Sequence, residues 1–121
     1  MKNILVIGGY GQVGRVICKT LSQIYPGKVI AAGRNFEKAK KFSLSMNNKV
    51  LPLNLDIYNL EASHEVFTHA QLVIMCLDQK DTNFVEMCIQ NKVHYIDISP
   101  SYTILSKIES LHSKALEFGT T

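Results

Sequence analysis

The sequence predicts an α/β fold, with a doubly wound parallel sheet between two layers of helices in a three-layer α/β/α arrangement. Two observations carry this prediction. Short apolar runs rich in β-branched residues alternate five times with segments of helical periodicity. The runs are also apolar throughout, as expected for strands that helices cover on both faces. With 121 residues, of which 46% are hydrophobic and 19% charged, residues 1–121 are expected to form one domain with its own core.

Five segments are expected to be strands, and each is short and mostly apolar. They are residues 3–7, 28–32, 50–55, 72–77 and 93–98. The third contains Pro52, which has no backbone donor, so this strand is expected to lie at a sheet edge or to be irregular.

The first two helices follow from apolar spacing and capping residues. The first is expected to bury an apolar face and to stop before Pro26-Gly27; that face comprises Val13, Val16, Ile17, Leu21 and Ile24. The second covers residues 36 to about 46, with Asn35 as its N-cap.

Three further helices are expected in the second half of the chain. One begins near Asn59 and carries Leu60, Val66 and Phe67, and another covers residues 82–91. The last begins at Ser99-Pro100 and ends at Gly119, and its single apolar face comprises Ile104, Ile108, Leu111 and Ala115.

Composition excludes several function classes. The net charge is +3, and the cluster of Lys38, Lys40 and Lys41 is interpreted as a solvated helix face, so no nucleic-acid partner is expected. Three cysteines without paired spacing argue against a disulfide framework or a metal site. No apolar run approaches the roughly 18 residues of a membrane span, and the N-terminus does not resemble a signal peptide. We therefore expect a cytoplasmic protein without a membrane partner.

The strongest motif directly follows the first strand. It is the run Gly8-Gly9-Tyr10-Gly11-Gln12-Val13-Gly14, which fits G-x-G-x-x-G with one extra glycine in front. Such a turn lets backbone N–H groups approach a pyrophosphate, which then faces the partly positive N-terminus of the next helix. The strand-to-helix setting predicts a Rossmann-type dinucleotide site. The alternative is a glycine turn that only packs the strand against the helix.

The residues after the second strand bear on which dinucleotide is bound. Sites that prefer NAD place a carboxylate there, but this sequence has Arg34 followed by Asn35. An arginine attracts a 2′-phosphate and forms a fork of hydrogen bonds with it, and Lys38 adds charge one turn later. We therefore expect NADP(H), with NAD(H) as the alternative cofactor. A solvated loop arginine is the other interpretation of Arg34.

Later strand ends complete the predicted site. Asp56 and Ile57 end the third strand near the expected adenine position, although Asp56 fits equally well as a helix-entry cap. Leu77 and Asp78 end the fourth strand beside the switch point and are expected near the ribose and nicotinamide. No catalytic constellation is recognisable, and the four histidines are interpreted as ordinary surface or half-buried residues.

The chain resembles the N-terminal NADP-binding domain of the saccharopine dehydrogenase family. The resemblance rests on residues 4–14, on Ala32-Gly33-Arg34, on residues 72–77 and on residues 93–99. It implies an oxidoreductase that uses NADP(H) or NAD(H) on a secondary amine formed from an amino acid and a carbonyl compound. It also implies cofactor contacts at Gly8 to Val13, Arg34, Asp56 and Leu77-Asp78. A second domain, absent from this sequence, would hold the small-molecule substrate and most catalytic residues.

Two other functions stay open at this point. One is a stand-alone nucleotide-sensing module, although such modules usually carry an acidic residue where this chain has Arg34. The other is an atypical short-chain reductase without catalytic activity. The 121 residues alone are expected to bind cofactor with negligible dehydrogenase turnover, and an apolar surface normally covered by the missing domain would favour a homodimer.

Overall fold

The computed structural model describes residues 2–59, 64–98 and 102–121. Within these residues the strands are β1 (Asn3–Ile7), β2 (Val29–Gly33), β3 (Val50–Asn54), β4 (Ala70–Met75) and β5 (His94–Asp97). The helices are α1 (Gln12–Ile24), α2 (Phe36–Ser45), α3 (His64–His69), α4 (Asn83–Gln90), α5 (Tyr102–Glu109) and α6 (His112–Glu117). The predicted strands are all present, with ends that differ by at most two residues. The predicted starts at Asn59-Leu60 and Ser99-Pro100 involve residues outside the described ranges.

The strands form a single parallel sheet in the order β3-β2-β1-β4-β5. Alternate side chains of β1 point to opposite faces. Ile4 and Val6 pack with Cys18 of α1 and Phe42 of α2, whereas Leu5 and Ile7 pack on the other side with residues of α3 and α4. The predicted three-layer, doubly wound α/β fold is therefore confirmed.

The strand order places a switch point at the carboxyl end of β1. The chain first runs outward through β2 and β3 and then returns to β4, which pairs with the other side of β1. Ile7, the last residue of β1, is in register with Ala32 on one side and Met75 on the other. The loops that leave β1 and β4 consequently diverge, and this divergence opens a crevice above the sheet.

Pro52 lies in β3, an edge strand, which is one of the two positions that the sequence predicts for it. The N–H of Leu55 donates to the carbonyl of Gly33, at 2.9 Å. Because successive residues of a strand alternate in direction, Pro52 directs its nitrogen away from β2. The sheet therefore loses no hydrogen bond through this proline.

The buried face of α1 agrees only in part with the predicted one, since Ile17 and Leu21 pack on the core as expected but the rest of the predicted face does not. The fully buried residues are Gly14, Cys18 and Ser22, whereas Val13 and Val16 are 57% and 64% exposed. The helix is rotated so that Gly14 lies against the glycine turn, where a Cβ would come within 2.1 Å of the Gly8 carbonyl oxygen. Apolar spacing alone does not predict that the side of α1 nearest the glycine turn carries a glycine. Ile24 is likewise exposed, so its place on the buried face was also predicted wrongly.

The predicted last helix is two helices, because the backbone turns between Glu109 and His112. The N–H of Leu111 donates to the carbonyl of Ile108, three residues earlier, and the Ser110 hydroxyl donates to the carbonyl of Lys107. These short-range bonds replace the regular four-residue pattern and end α5. The apolar residues still pack together, since Ile108, Leu111 and Ala115 join one cluster with Val85 and Ile89 of α4.

In the part of the chain that the structure describes, no helix combines the length and apolarity needed to cross a membrane.

Candidate functional site

The glycine turn joins β1 to α1 at the switch point. Gly8 has a φ of +78°, a left-handed conformation that favours glycine, and its N–H donates to the carbonyl of Ala32, at 2.7 Å. Gly9 packs so closely on β2 that a Cβ would lie 2.8 Å from the Cα of Ala31. The N–H of Gly11 donates back to the carbonyl of Gly8, at 3.0 Å. This geometry draws the turn down onto the sheet and leaves room above it for a ligand.

A groove of about 770 Å³ lies above this turn and contains most of the predicted site. The predicted residues that line it are Gly8, Tyr10, Gly11, Gln12, Val13, Gly14, Arg34, Asn35, Lys38 and Leu77. Gly9 is packed into the floor of the turn. Gly11 is the N-cap of α1 and has no side chain to bond the first N–H groups of the helix, and the residues that carry these groups line the groove. A pyrophosphate fits this arrangement of small residues and free backbone donors.

The remaining predicted residues line a smaller cavity of about 140 Å³ beside the groove. Arg34 and Leu77 line both cavities and so connect them. Asp56 accepts the N–H of Tyr58, at 2.9 Å, which agrees with the capping role that the sequence left open, although here the capped feature is a turn. Asp78 lies at the rim, whereas the Ile57 side chain is buried in the core.

Positive side chains lie where β2 meets α2. Asn35 is the predicted N-cap of α2, and its side-chain oxygen accepts the N–H of Lys38, at 3.1 Å. Arg34 and Lys38 are exposed, and within the described residues neither forms an ion pair. Glu37 also lines this end of the groove but is outnumbered by the two cations. The guanidinium of Arg34 is therefore available to an anionic ligand.

Tyr10 connects the glycine turn to this positive region. Its hydroxyl accepts the N–H of Asn35, at 2.9 Å, and its ring lies against Gly33. A Cβ at Gly33 would come within 2.3 Å of that hydroxyl oxygen. The sequence did not indicate this role of Gly33, because the reason for the glycine is an aromatic ring 23 positions earlier in the chain.

Cys76 lines the groove directly after β4 and was not among the predicted site residues. Burial raises the pKa of its thiol to about 11, and the negative charge of Asp97 adds to the effect. The thiol is therefore protonated at neutral pH and is a poor nucleophile. All three cysteines of the chain are free thiols.

A polar cluster that the sequence did not reveal links the carboxyl ends of β4 and β5. The Nε2 of Gln79 donates to the Tyr95 hydroxyl at 2.8 Å and to Asp97 at 3.1 Å, and Tyr95 itself donates to Asp97. Gln79 is only 6% exposed. Burial, followed by the bond to Asp97, raises the pKa of Tyr95 above its ordinary value. The cluster holds the loop after Leu77 and Asp78 onto the sheet.

The parallel sheet, the glycine turn at its switch point and the groove above it define a Rossmann-type nucleotide-binding domain. Residues 4–121 match the sequence profile of the saccharopine dehydrogenase NADP-binding domain. The chain belongs to this family. It is a domain of the kind that binds a nicotinamide dinucleotide. A search of curated protein sequences gives no significant match.

Two solved structures share the fold. One is the apo, histidine-tagged saccharopine dehydrogenase (L-Glu forming) from Saccharomyces cerevisiae, with a TM-score of 0.77 and 23% identity. The other is scyllo-inositol dehydrogenase from Lactobacillus casei with bound NAD(H) and scyllo-inositol, with a TM-score of 0.64 and 12% identity. Both alignments cover 100% of this chain but only 26% and 35% of the respective relatives. This chain therefore corresponds to about a quarter to a third of those proteins.

Proposed function

We propose that this domain binds NADP(H) in preference to NAD(H). The observation that carries the proposal is Arg34, an exposed arginine without an ion-pair partner in the described residues, at the end of β2 where the groove opens. An NAD-preferring site places a carboxylate at this position to bond the ribose 2′-hydroxyl. An arginine instead provides a fork of donors and a permanent charge for a 2′-phosphate.

We assign the parts of the cofactor to the parts of the site. The turn from Gly8 to Gly14 would hold the pyrophosphate, because its glycines leave the space that Cβ atoms would fill. Arg34, Asn35 and Lys38 would hold the 2′-phosphate. The adenine would lie near Asp56 and Ile57, and the ribose on the nicotinamide side near Leu77 and Asp78.

We further propose that the domain serves a cytoplasmic oxidoreductase of the saccharopine dehydrogenase type. Its substrate class would be a secondary amine formed from an amino acid and a carbonyl compound. The bound cofactor would supply hydride transfer, and this chain would bind and orient it. A further domain would hold the substrate and most catalytic residues, so residues 1–121 alone would show negligible turnover. The exposed Val16, which lies outside the groove, supports a proposed contact with that domain or with a second copy.

Titration of the wild-type chain with NADPH and NADH, followed by cofactor fluorescence, tests the preference. We expect tighter binding of NADPH. Arg34→Ala should weaken NADPH binding by about tenfold to a hundredfold, since it removes hydrogen bonds to a charged group. NADH binding should change less than about threefold, because its 2′-hydroxyl carries no charge.

The matched control is Lys40→Ala. It removes a positive charge from the exposed surface of α2, away from the groove. Both affinities should stay close to those of the wild type. Equal affinities of the wild type for the two cofactors, or tighter binding of NADH, would refute the proposed preference.

A further inference from the structure

The side chain of Tyr10 crosses from the glycine turn to the start of α2. Its hydroxyl oxygen lies 2.9 Å from the backbone nitrogen of Asn35 and accepts its hydrogen bond. Its ring packs on the bare backbone of Gly33, where any larger residue would collide with it. The hydroxyl is thereby held at the end of β2, next to Arg34.

The hydrogen-bonding capacity of this hydroxyl is only partly used. A tyrosine hydroxyl offers one donor and accepts hydrogen bonds as well. Among the described residues the Tyr10 hydroxyl forms a single hydrogen bond, which it accepts from the N–H of Asn35. Because that N–H occupies a lone pair, the O–H proton is left to donate elsewhere, and Tyr10 lines the groove together with Arg34 and Lys38.

The charged side chains around the Tyr10 hydroxyl determine which kind of acceptor its O–H would bond. Arg34 and Lys38 outnumber Glu37 at this end of the groove, so an anionic group is favoured there. A phenol O–H that donates to an anion forms a short, charge-assisted bond, roughly twice as strong as a bond between neutral groups. A neutral ribose hydroxyl at the same place would gain much less from Tyr10.

We infer that Tyr10 is a specificity-determining residue, whose hydroxyl donates to the 2′-phosphate of NADP(H) while the N–H of Asn35 holds it in position. The inference rests on the proposed preference for NADP(H) and adds a second, uncharged determinant beside Arg34. It also gives Gly33 a function, since a glycine at the end of β2 is what allows the ring to reach this position.

The test compares the wild type with Tyr10→Phe in titrations with NADPH and NADH. The variant should bind NADPH about tenfold more weakly and NADH within about twofold of the wild type. The ratio of the two dissociation constants is the decisive measurement, because a purely structural role would weaken both cofactors equally. Tyr25→Phe is the matched control, since Tyr25 lies at the opposite end of α1, outside the groove.

A second variant keeps the hydroxyl but displaces it. Gly33→Ala should force the ring away from Asn35 and reduce the preference for NADPH to a similar degree. Equal losses for the two cofactors, no loss, or a gain in NADPH affinity in Tyr10→Phe would each overturn the role of Tyr10. The proposed function is judged separately, by the wild-type affinities alone, so the two failures are distinguishable.

Discussion

Replacing Gly14 with alanine adds one methyl group at the closest contact between α1 and the glycine turn. The new Cβ would lie 2.1 Å from the carbonyl oxygen of Gly8 and 2.7 Å from the Cα of Gly9. Ordinary van der Waals contact begins near 3.4 Å, so helix and turn would have to separate by more than 1 Å. Both obstacles are backbone atoms, which cannot rotate away as a side chain would.

Two opposing effects determine how much Gly14→Ala changes the free energy of unfolding. Overpacking of a closely packed site costs up to about 3 kcal/mol. Alanine is favoured over glycine inside a helix by about 1 kcal/mol, which offsets part of this cost. We therefore expect Gly14→Ala to lower the free energy of unfolding by about 2 kcal/mol.

Urea unfolding followed by far-ultraviolet circular dichroism would measure this change, since the chain contains no tryptophan. The experiment is done without cofactor, because a bound ligand would add its own stabilisation. Gly11→Ala is the matched control in the same turn. Its Cβ would lie 3.3 Å from the same Gly8 oxygen, so it should cost less than about 1 kcal/mol. If Gly14→Ala destabilises the chain no more than Gly11→Ala, the steric argument is refuted.

Two further predictions concern buried polar groups. The Ser43 hydroxyl donates to the carbonyl of Val50 at 2.6 Å and joins α2 to β3, so Ser43→Ala should cost about 1–2 kcal/mol in urea unfolding. The exposed Ser45→Ala is its control, and similar losses for both variants would contradict this role. Burial, with a smaller effect of Cys76, raises the pKa of the Cys18 thiol from 9.0 to about 12. The unfolded chain therefore loses this proton at a lower pH than the folded chain does. The stability that the buried thiol contributes is complete below pH 9 and is lost as the pH rises towards 12. Above pH 9 the free energy of unfolding should fall less steeply in Cys18→Ala than in the wild type, by up to about 1.4 kcal/mol per pH unit. Identical pH profiles of the two proteins would contradict this prediction.

The sheet could be predicted from the sequence because each strand is a separate apolar run between clear breaks. Pro52 limited the third strand to a sheet edge or an irregular strand, because it has no N–H to donate, and the structure has this strand at the edge. The buried face of α1 could not be predicted in this way. A glycine adds nothing to an apolar pattern, yet Gly14 lies on the side of α1 nearest the glycine turn. The break after α5 was also hidden, since Ile108 and Leu111 keep a helical spacing across it.

Much of the candidate site could be predicted because its main features are short, local sequence patterns. The glycine turn and Arg34 are local signals, and the structure places both on one groove. The contact between Tyr10 and Gly33, and the cluster around Gln79, depend on residues far apart in the chain. Such pairings follow from the strand order, which brings the ends of different strands together. A single sequence carries no direct signal for them.

Pro52 also affects whether a strand of another chain can pair with the outer edge of β3. The free edge of a sheet is a template for strands of other chains, and such pairing leads to aggregation. The nitrogen of Pro52 faces outward from the middle of β3, where an approaching strand would need a donor. A mispaired neighbour would lose a bond at the centre of that five-residue strand. The same proline that costs the folded sheet no hydrogen bond therefore makes the pairing of a further strand at this edge less favourable.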